Sequence, residues 1–212
     1  MPLTMSSRRE IGKTSRRKAI VDAARSLLGE AGSDASAERI AQRAGVSTPT
    51  LYNLVGPREQ LLAALMNDLF ERLAALMEAS DAADPIAFGE TVVRTSVQLF
   101  CEDAILWRRV VHEMSSAYAT TVNAHVRTQP IALQKRAMRE AKAAGMLRRT
   151  ADTDMTAHQI FASYNGALFM WAGGFLTDGE FLELALHGYW VTIAAFGSRA
   201  GRTRALEATG LT

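Results

Sequence analysis

The 212-residue sequence predicts an all-α fold, a small N-terminal three-helix unit followed by a larger helical domain, about nine helices in all. Three observations predict it. Apolar side chains recur three and four residues apart through most of the chain, the spacing that lines one face of a helix. Ala and Leu recur while Pro is scarce, a mix that favours helices. Ser, Asp and Gly punctuate the apolar runs where helix caps and stops are expected. A hydrophobic content of 48% with 22% charged residues fits an ordinary soluble globular protein, long enough to bury a substantial core.

Taken in order, the first helix is expected over residues 16–31. Ile20, Val21, Ala24, Leu27, Leu28 and Ala31 form its stripe, and Gly32 ends it. Ser36 starts a short second helix as N-cap, with Glu38 in the positive first turn and Ala37, Ile40 and Ala41 inward. It stops at Ala44-Gly45, where a left-handed turn suits only glycine. Ser47 caps a third helix reaching about Leu54, with Pro49 tolerated in its first turn. Gly56-Pro57 opens a long fourth helix to about Met77, with Leu61, Leu62, Leu65, Leu69, Phe70, Leu73 and Leu76 as its apolar face. Asp84-Pro85 starts a fifth to Phe100. The sixth to ninth are expected at 103–118, 130–144, 154–175 and 179–197, and residues 199–212 read as a polar, frayed tail.

The second and third helices with their tight joint make a helix-turn-helix. Ala41 must be small where the helices cross, Gly45 must turn, and Val46 and Leu51 must anchor the third helix. Thr48, Pro49, Thr50 and Asn53 then face outward on a helix that fits a major groove about 12 Å wide. Thr and Asn can hydrogen-bond base edges, while Pro and the Thr methyls can touch a thymine methyl. Charge agrees with a polyanionic partner. Residues 1–60 hold ten basic against six acidic side chains, and the first 18 residues alone include Arg8, Arg9, Lys13, Arg16, Arg17 and Lys18.

These residues carry a family resemblance. Ile40 to Ser47 (IAQRAGVS), Thr50-Leu51-Tyr52 and Gly56 to Leu61 (GPREQL), with Ile20 to Leu27 before them, resemble the DNA-binding domain of the TetR family of regulators. The resemblance covers residues 16–65. It implies a basic arm at 1–15, a DNA-binding domain at 16–60, a ligand-binding and dimerisation domain at 61–198 and a tail at 199–212. It also implies phosphate contacts from Tyr52 and Arg58, backbone or base contacts from Ser36, Ser47, Thr48 and Thr50, and support from Arg16 and Arg17. Phosphate contacts position a protein on DNA and base contacts specify the sequence. The competing readings are a core aromatic for Tyr52 and a solvated charge for Arg58. Leu54-Val55 stands where the family often has His-Phe, Pro57 where it often has Ser, and Arg58 where Lys is commoner. Leu54 cannot make the polar contact of a His.

Two reading heads are expected to act together as a homodimer on a palindromic operator of double-stranded DNA. Its interface is expected from the last two helices, through Ala167, Trp171, Phe175, Leu184, Trp190 and Ile193, because both helices are apolar on more than one face. The resemblance further implies a small-molecule effector, hydrophobic or amphipathic, in a pocket among Phe100, Trp107, Met114, Met138, Phe161, Tyr164, Asn165 and Phe169. Taken singly, each of these is more often plain core, because core aromatics and Met are common.

Other classes are disfavoured. The sequence lacks the GxSxG, P-loop, strand-linked GxGxxG and HExxH patterns of common enzymes, so neither catalysis nor a cofactor is expected. The histidines at 112, 125, 158 and 187 form no HxxxH pair, so no metal site is expected. The lone Cys101 suits a reducing cytoplasm, and the N-terminus lacks the apolar run of a signal peptide. Residues 156–177 carry no formal charge outside His158, but Gln159, Asn165 and three glycines interrupt them, which disfavours a membrane span.

Overall fold

The computed structural model describes the backbone of residues 5–116 and 121–210 and the side chains of residues 10–114 and 131–210. Ten helices follow one another: α1 (Met5–Gly29), α2 (Ala37–Arg43), α3 (Thr48–Leu54), α4 (Arg58–Glu78), α5 (Pro85–Cys101), α6 (Ala104–Ser116), α7 (Thr121–Ala143), α8 (Thr153–Ala172), α9 (Asp178–Phe196) and α10 (Arg199–Thr209). Apart from one isolated antiparallel bridge between Leu147 and Gly197, the described residues contain no β-structure. No helix among them is long and apolar enough to cross a membrane.

The chain divides into two compact units, Met1–Asp68 with Asp103–Asn123, and Leu69–Glu102 with Ala124–Thr212. Compactness thus separates the chain inside α4 and groups α6 with the N-terminal helices, whereas the sequence suggested a division after residue 60. In the first unit α1 packs on α2, α3 and α6. Its core holds Ile20, Ala24, Leu27 and Leu28 of α1, Ile40 and Ala41 of α2, Leu51 of α3 and Leu61 and Leu65 of α4. Trp107 of α6 is buried here, with the Arg25 guanidinium over its ring.

In the second unit α9 is central and packs on α5, α8 and α10. The Trp171 ring stacks on Phe181 at 5.3 Å and meets Phe100 edge-on at 6.2 Å, aromatic geometries that add to the burial itself. Tyr189 is fully buried and donates its hydroxyl to the Ile86 carbonyl at 2.6 Å. Gly89 makes room for that phenol, since a Cβ there would lie 2.7 Å from its oxygen.

Three expectations about the elements need revision, and one element starts with a cap that the sequence pattern did not mark. The basic arm is helical from Met5, eleven residues before the expected start at Arg16. Its residues 10–15 are exposed apart from half-buried Gly12, so it carries no apolar period to read. Lys18 pairs with Asp22 one turn on, the kind of contact that supports a solvated helix. The tail is also a helix, α10, with Ser198 as N-cap and Gly201 and Ala205 buried. Its docking rests on Gly201, where a Cβ would collide with the Met146 carbonyl, a contact 55 residues away in sequence. α7 begins at Thr121 and not at Pro130. α9 begins with a reciprocal capping box between Thr177 and Glu180 that the apolar pattern alone did not mark. His125 lies outside the described side chains.

Candidate nucleic-acid interface

The helix-turn-helix is assembled by local chemistry. The Ser36 hydroxyl accepts from the Arg39 N–H, and the Ser47 hydroxyl accepts from the Thr50 N–H at 3.3 Å. Each cap uses one of the N–H groups that a helix start leaves unpaired. Ser47 Oγ also lies 2.8 Å from Thr50 Oγ1, so these two side chains satisfy each other. Between the helices Gly45 takes φ +67°, the left-handed region. The Val46 N–H reaches back to the Ala41 carbonyl at 3.0 Å and closes the end of α2.

Packing then decides which face of α3 is free. Leu51 and the following Val55 are buried, and Val46 is only half-buried, so Val55 shares the anchoring expected of Val46. Pro49, Tyr52 and Asn53 are exposed, and Thr48 and Thr50 are half-exposed. Tyr52 is 50% exposed, which removes the core-aromatic reading. Tyr52, Ser36, Glu38, Arg58 and Arg109 border a cleft of about 320 Å³ in the same unit.

Two arginines are tied into the unit. Arg17 donates to the Leu54 carbonyl at 2.7 Å and so holds the C-terminal end of α3 to α1. Leu54 therefore takes part through its backbone, although its side chain has no polar group. Arg58 donates from Nε and Nη2 to the two oxygens of Glu113, at 2.6 and 2.9 Å, and from Nη1 to the Ala35 carbonyl at 2.7 Å. The hydrogen bond with Glu113, against the opposing effect of burial, holds Arg58 above its ordinary value. Neither the solvated-charge reading nor a freely presented phosphate ligand describes Arg58, because all three of its nitrogens are engaged within the unit. Sequence reasoning missed Glu113 altogether; it sits 55 residues from Arg58 and no local pattern links them. Arg16 is exposed, with its Nε on the Gly12 carbonyl.

The pocket residues named from sequence separate. Trp107 and Met114 lie in the first unit, while Phe100, Met138, Phe161, Tyr164, Asn165 and Phe169 lie in the second. In the second unit Phe100, Met138 and Tyr164 are buried and the other three are half-buried. The Tyr164 hydroxyl is buried and makes no hydrogen bond of ordinary geometry. Burial pushes this phenol well above its usual range, with a smaller opposing pull from Ser96. The interface residues also separate. Ala167, Trp171, Trp190 and Ile193 are buried inside the chain's own core, so they are not surface residues as expected. Phe175 at 78% and Leu184 at 39% are exposed, as are Met170 and Val191, which the sequence reading did not name.

An exposed two-turn helix, held on a buried apolar anchor behind a glycine turn and capped at both starts, defines a helix-turn-helix DNA-binding protein. Residues 20–65 match the family described as bacterial regulatory proteins, tetR family. The whole fold agrees. The structure of RolR complexed with resorcinol is similar at a TM-score of 0.71 and 21% identity, covering 92% of this chain and 95% of that one. SmeT, the repressor of the Stenotrophomonas maltophilia multidrug efflux pump SmeDEF, is similar at 0.66 and 23%, covering 87% and 92%. The fatty acid degradation regulator FadR from Bacillus halodurans is similar at 0.67 and 20%, covering 84% and 94%. No curated protein matches the sequence. The matched domain and the fold support a DNA-binding transcriptional regulator.

Proposed function

We propose that the protein is a non-enzymatic, cytoplasmic repressor that binds a palindromic operator as a homodimer and is released by a small hydrophobic or amphipathic effector. The exposed face of α3 carries the DNA-reading part: Thr48, Pro49, Thr50 and Asn53 are assigned to base edges, and Tyr52 with Arg16 to phosphates. Ser36 and Ser47 act as helix caps in the head, and Arg17 braces α3, so their part in DNA binding is to hold that face in place.

The effector reading is supported by the second unit's core. Among the described residues, its buried polar side chains outside the aromatics are Ser96, Gln134, Thr156 and Thr192, all uncharged. An uncharged lining suits an uncharged ligand, because burying an unpaired charge is costly. The Tyr164 hydroxyl offers such a ligand one neutral hydrogen-bonding group among aromatic faces. RolR and SmeT, a resorcinol complex and an efflux-pump repressor, share this fold and make the same combination reasonable here. For the dimer, the exposed apolar side chains Met170, Phe175, Leu184 and Val191 of α8, α9 and their junction are assigned to the partner copy. Two heads then meet half-sites about 34–36 Å apart.

Fluorescence anisotropy on the DNA upstream of the protein's own gene tests the reading. Tight binding that weakens steeply with salt and exceeds binding to a scrambled duplex is expected. Equal affinity for both duplexes would sink it. Effector release is tested by adding small aromatic compounds to the complex, where a compound that stabilises the free protein should raise the dissociation constant. An effector that binds the free and DNA-bound forms equally shifts nothing.

A further inference from the structure

The helix-turn-helix has an entrance and an exit, and one side chain holds both. Ala35 immediately precedes Ser36, the N-cap of α2, and Arg58 opens α4 just beyond the Val55 cap of α3. The Arg58 guanidinium takes the Ala35 carbonyl on one nitrogen and both Glu113 oxygens on the other two. Residues 36–55 are therefore bracketed at both flanks by one planar fork, and that fork is seated on α6. Bidentate arginine–carboxylate bonds fix orientation as well as distance, which a lysine in the same place cannot do. The pair is partly buried, with side-chain exposures of 38% for Arg58 and 26% for Glu113, so salt screens it less than a surface pair. Arg109, one turn before Glu113 on α6, approaches the same carboxylate at 3.7 Å, and Asp34 and Glu59 add negative charge around Arg58.

We infer that Glu113 is a positioning residue for DNA reading: acting through Arg58, it sets the pose in which α2 and α3 present the recognition face. The inference rests on the DNA-reading role proposed above, and it changes what Arg58 does. The guanidinium serves the fold of the head, and phosphate contact falls to the exposed Tyr52 and Arg16.

Three variants and two measurements decide between the two roles. Glu113→Gln removes the charge and keeps the shape. Positioning predicts roughly tenfold weaker operator binding, about 1.4 kcal/mol, with an unchanged salt slope. If Arg58 instead grips a phosphate, Glu113→Gln frees it and tightens binding, and Arg58→Ala lowers the salt slope by about one. Arg58→Lys keeps the charge and loses the fork. Positioning predicts that it weakens binding as Glu113→Gln does, whereas a phosphate contact would survive it. Hydrogen exchange on the free full-length protein supplies the readout without DNA: amides of residues 36–55 should exchange faster in Glu113→Gln and in Arg58→Lys than in wild type. If Glu113→Gln does not fold, Arg58→Lys carries the same comparison. Unchanged exchange, or a tighter-binding Glu113→Gln, overturns the positioning role. A wild-type protein with no operator preference overturns the regulator reading instead.

Discussion

The two units solve the placement of polar groups in opposite ways. In the reading head the two short helices start on local bonds: Ser36 caps the Arg39 N–H and Ser47 the Thr50 N–H, each three residues away. In the second unit the bonds that fix the core join distant segments. Tyr189 reaches Ile86 across 103 residues, Arg204 reaches Asp84 across 120, and Gln134 donates to the Gly89 carbonyl across 45. A head that must offer an unchanging face to DNA is held by contacts that form with its own helices. A unit whose core is held by long-range contacts depends on how its helices pack, and packing is what a ligand can alter. The head departs from local bonding where arginines tie its helices together: Arg17 reaches the Leu54 carbonyl across 37 residues, and Arg58 reaches Glu113 of α6 across 55.

The largest test of this contrast is on α8 and its end. Trp171→Ala removes a fully buried ring stacked on Phe181 and should lower unfolding stability by about 3–5 kcal/mol in a denaturant titration. Phe175→Ala, four residues on and 78% exposed, should stay within about 0.5 kcal/mol at protein concentrations where the chain is monomeric. It should instead shift the dimer dissociation measured by sedimentation. Equal stability losses would put Phe175 in the core and remove it from the interface.

The next effect separates two glycines. Gly89→Ala places a methyl 2.7 Å from the Tyr189 oxygen and should cost about 1–3 kcal/mol. Gly166→Ala, in α8 with nothing within 4 Å, should leave stability unchanged or raise it by about 0.5–1 kcal/mol. A neutral Gly89→Ala would show that the Tyr189 bond to Ile86 does not constrain the core.

The same contrast explains what the sequence made legible. Ser36, Gly45, Ser47 and Leu51 act on neighbours within one or two turns, so their spacing announces the helix-turn-helix and the face it presents. The helical class followed from apolar periodicity wherever one face is buried. It failed for residues 5–15 and for α10, whose polar sequences carry no stripe. Ala167, Trp171, Trp190 and Ile193 were misplaced for a related reason. A helix apolar on two faces can be wrapped by its own chain as well as by a partner, and composition does not say which. Glu113 left no local trace, because its partner comes from another helix.

In the head, Ser47→Ala should cost about 1 kcal/mol, the usual worth of an N-cap. Asn53→Ala, exposed and without a structural bond, should leave the melting curve where it is and lose discrimination between operator and altered duplexes. If Asn53→Ala destabilised the protein as much as Ser47→Ala, the division of α3 into a supporting and a reading face would be wrong.

The smallest expected effect concerns charge in the second unit. Asp84 caps α5 through the N–H groups of Ile86 and Ala87, both at 2.9 Å, and pairs with Arg204 of α10. Burial works to raise its carboxyl, but the Ala87 N–H, Arg204 and the Ile86 N–H together outweigh it, and the group lies below its ordinary value. A depressed carboxyl contributes stability above its unfolded value, about pH 4, and that contribution is lost as pH falls through the folded value. Asp84→Asn keeps a capping oxygen and loses the titrating charge. Denaturant midpoints taken from pH 7 down to pH 3 should therefore fall less steeply in Asp84→Asn than in wild type. The gap at pH 7 should be no larger than about 1 kcal/mol, because a pair this open to water is worth little more. Parallel acid limbs in the two proteins would mean that Arg204 holds α10 through its stacking over Trp190 and not through its charge on Asp84.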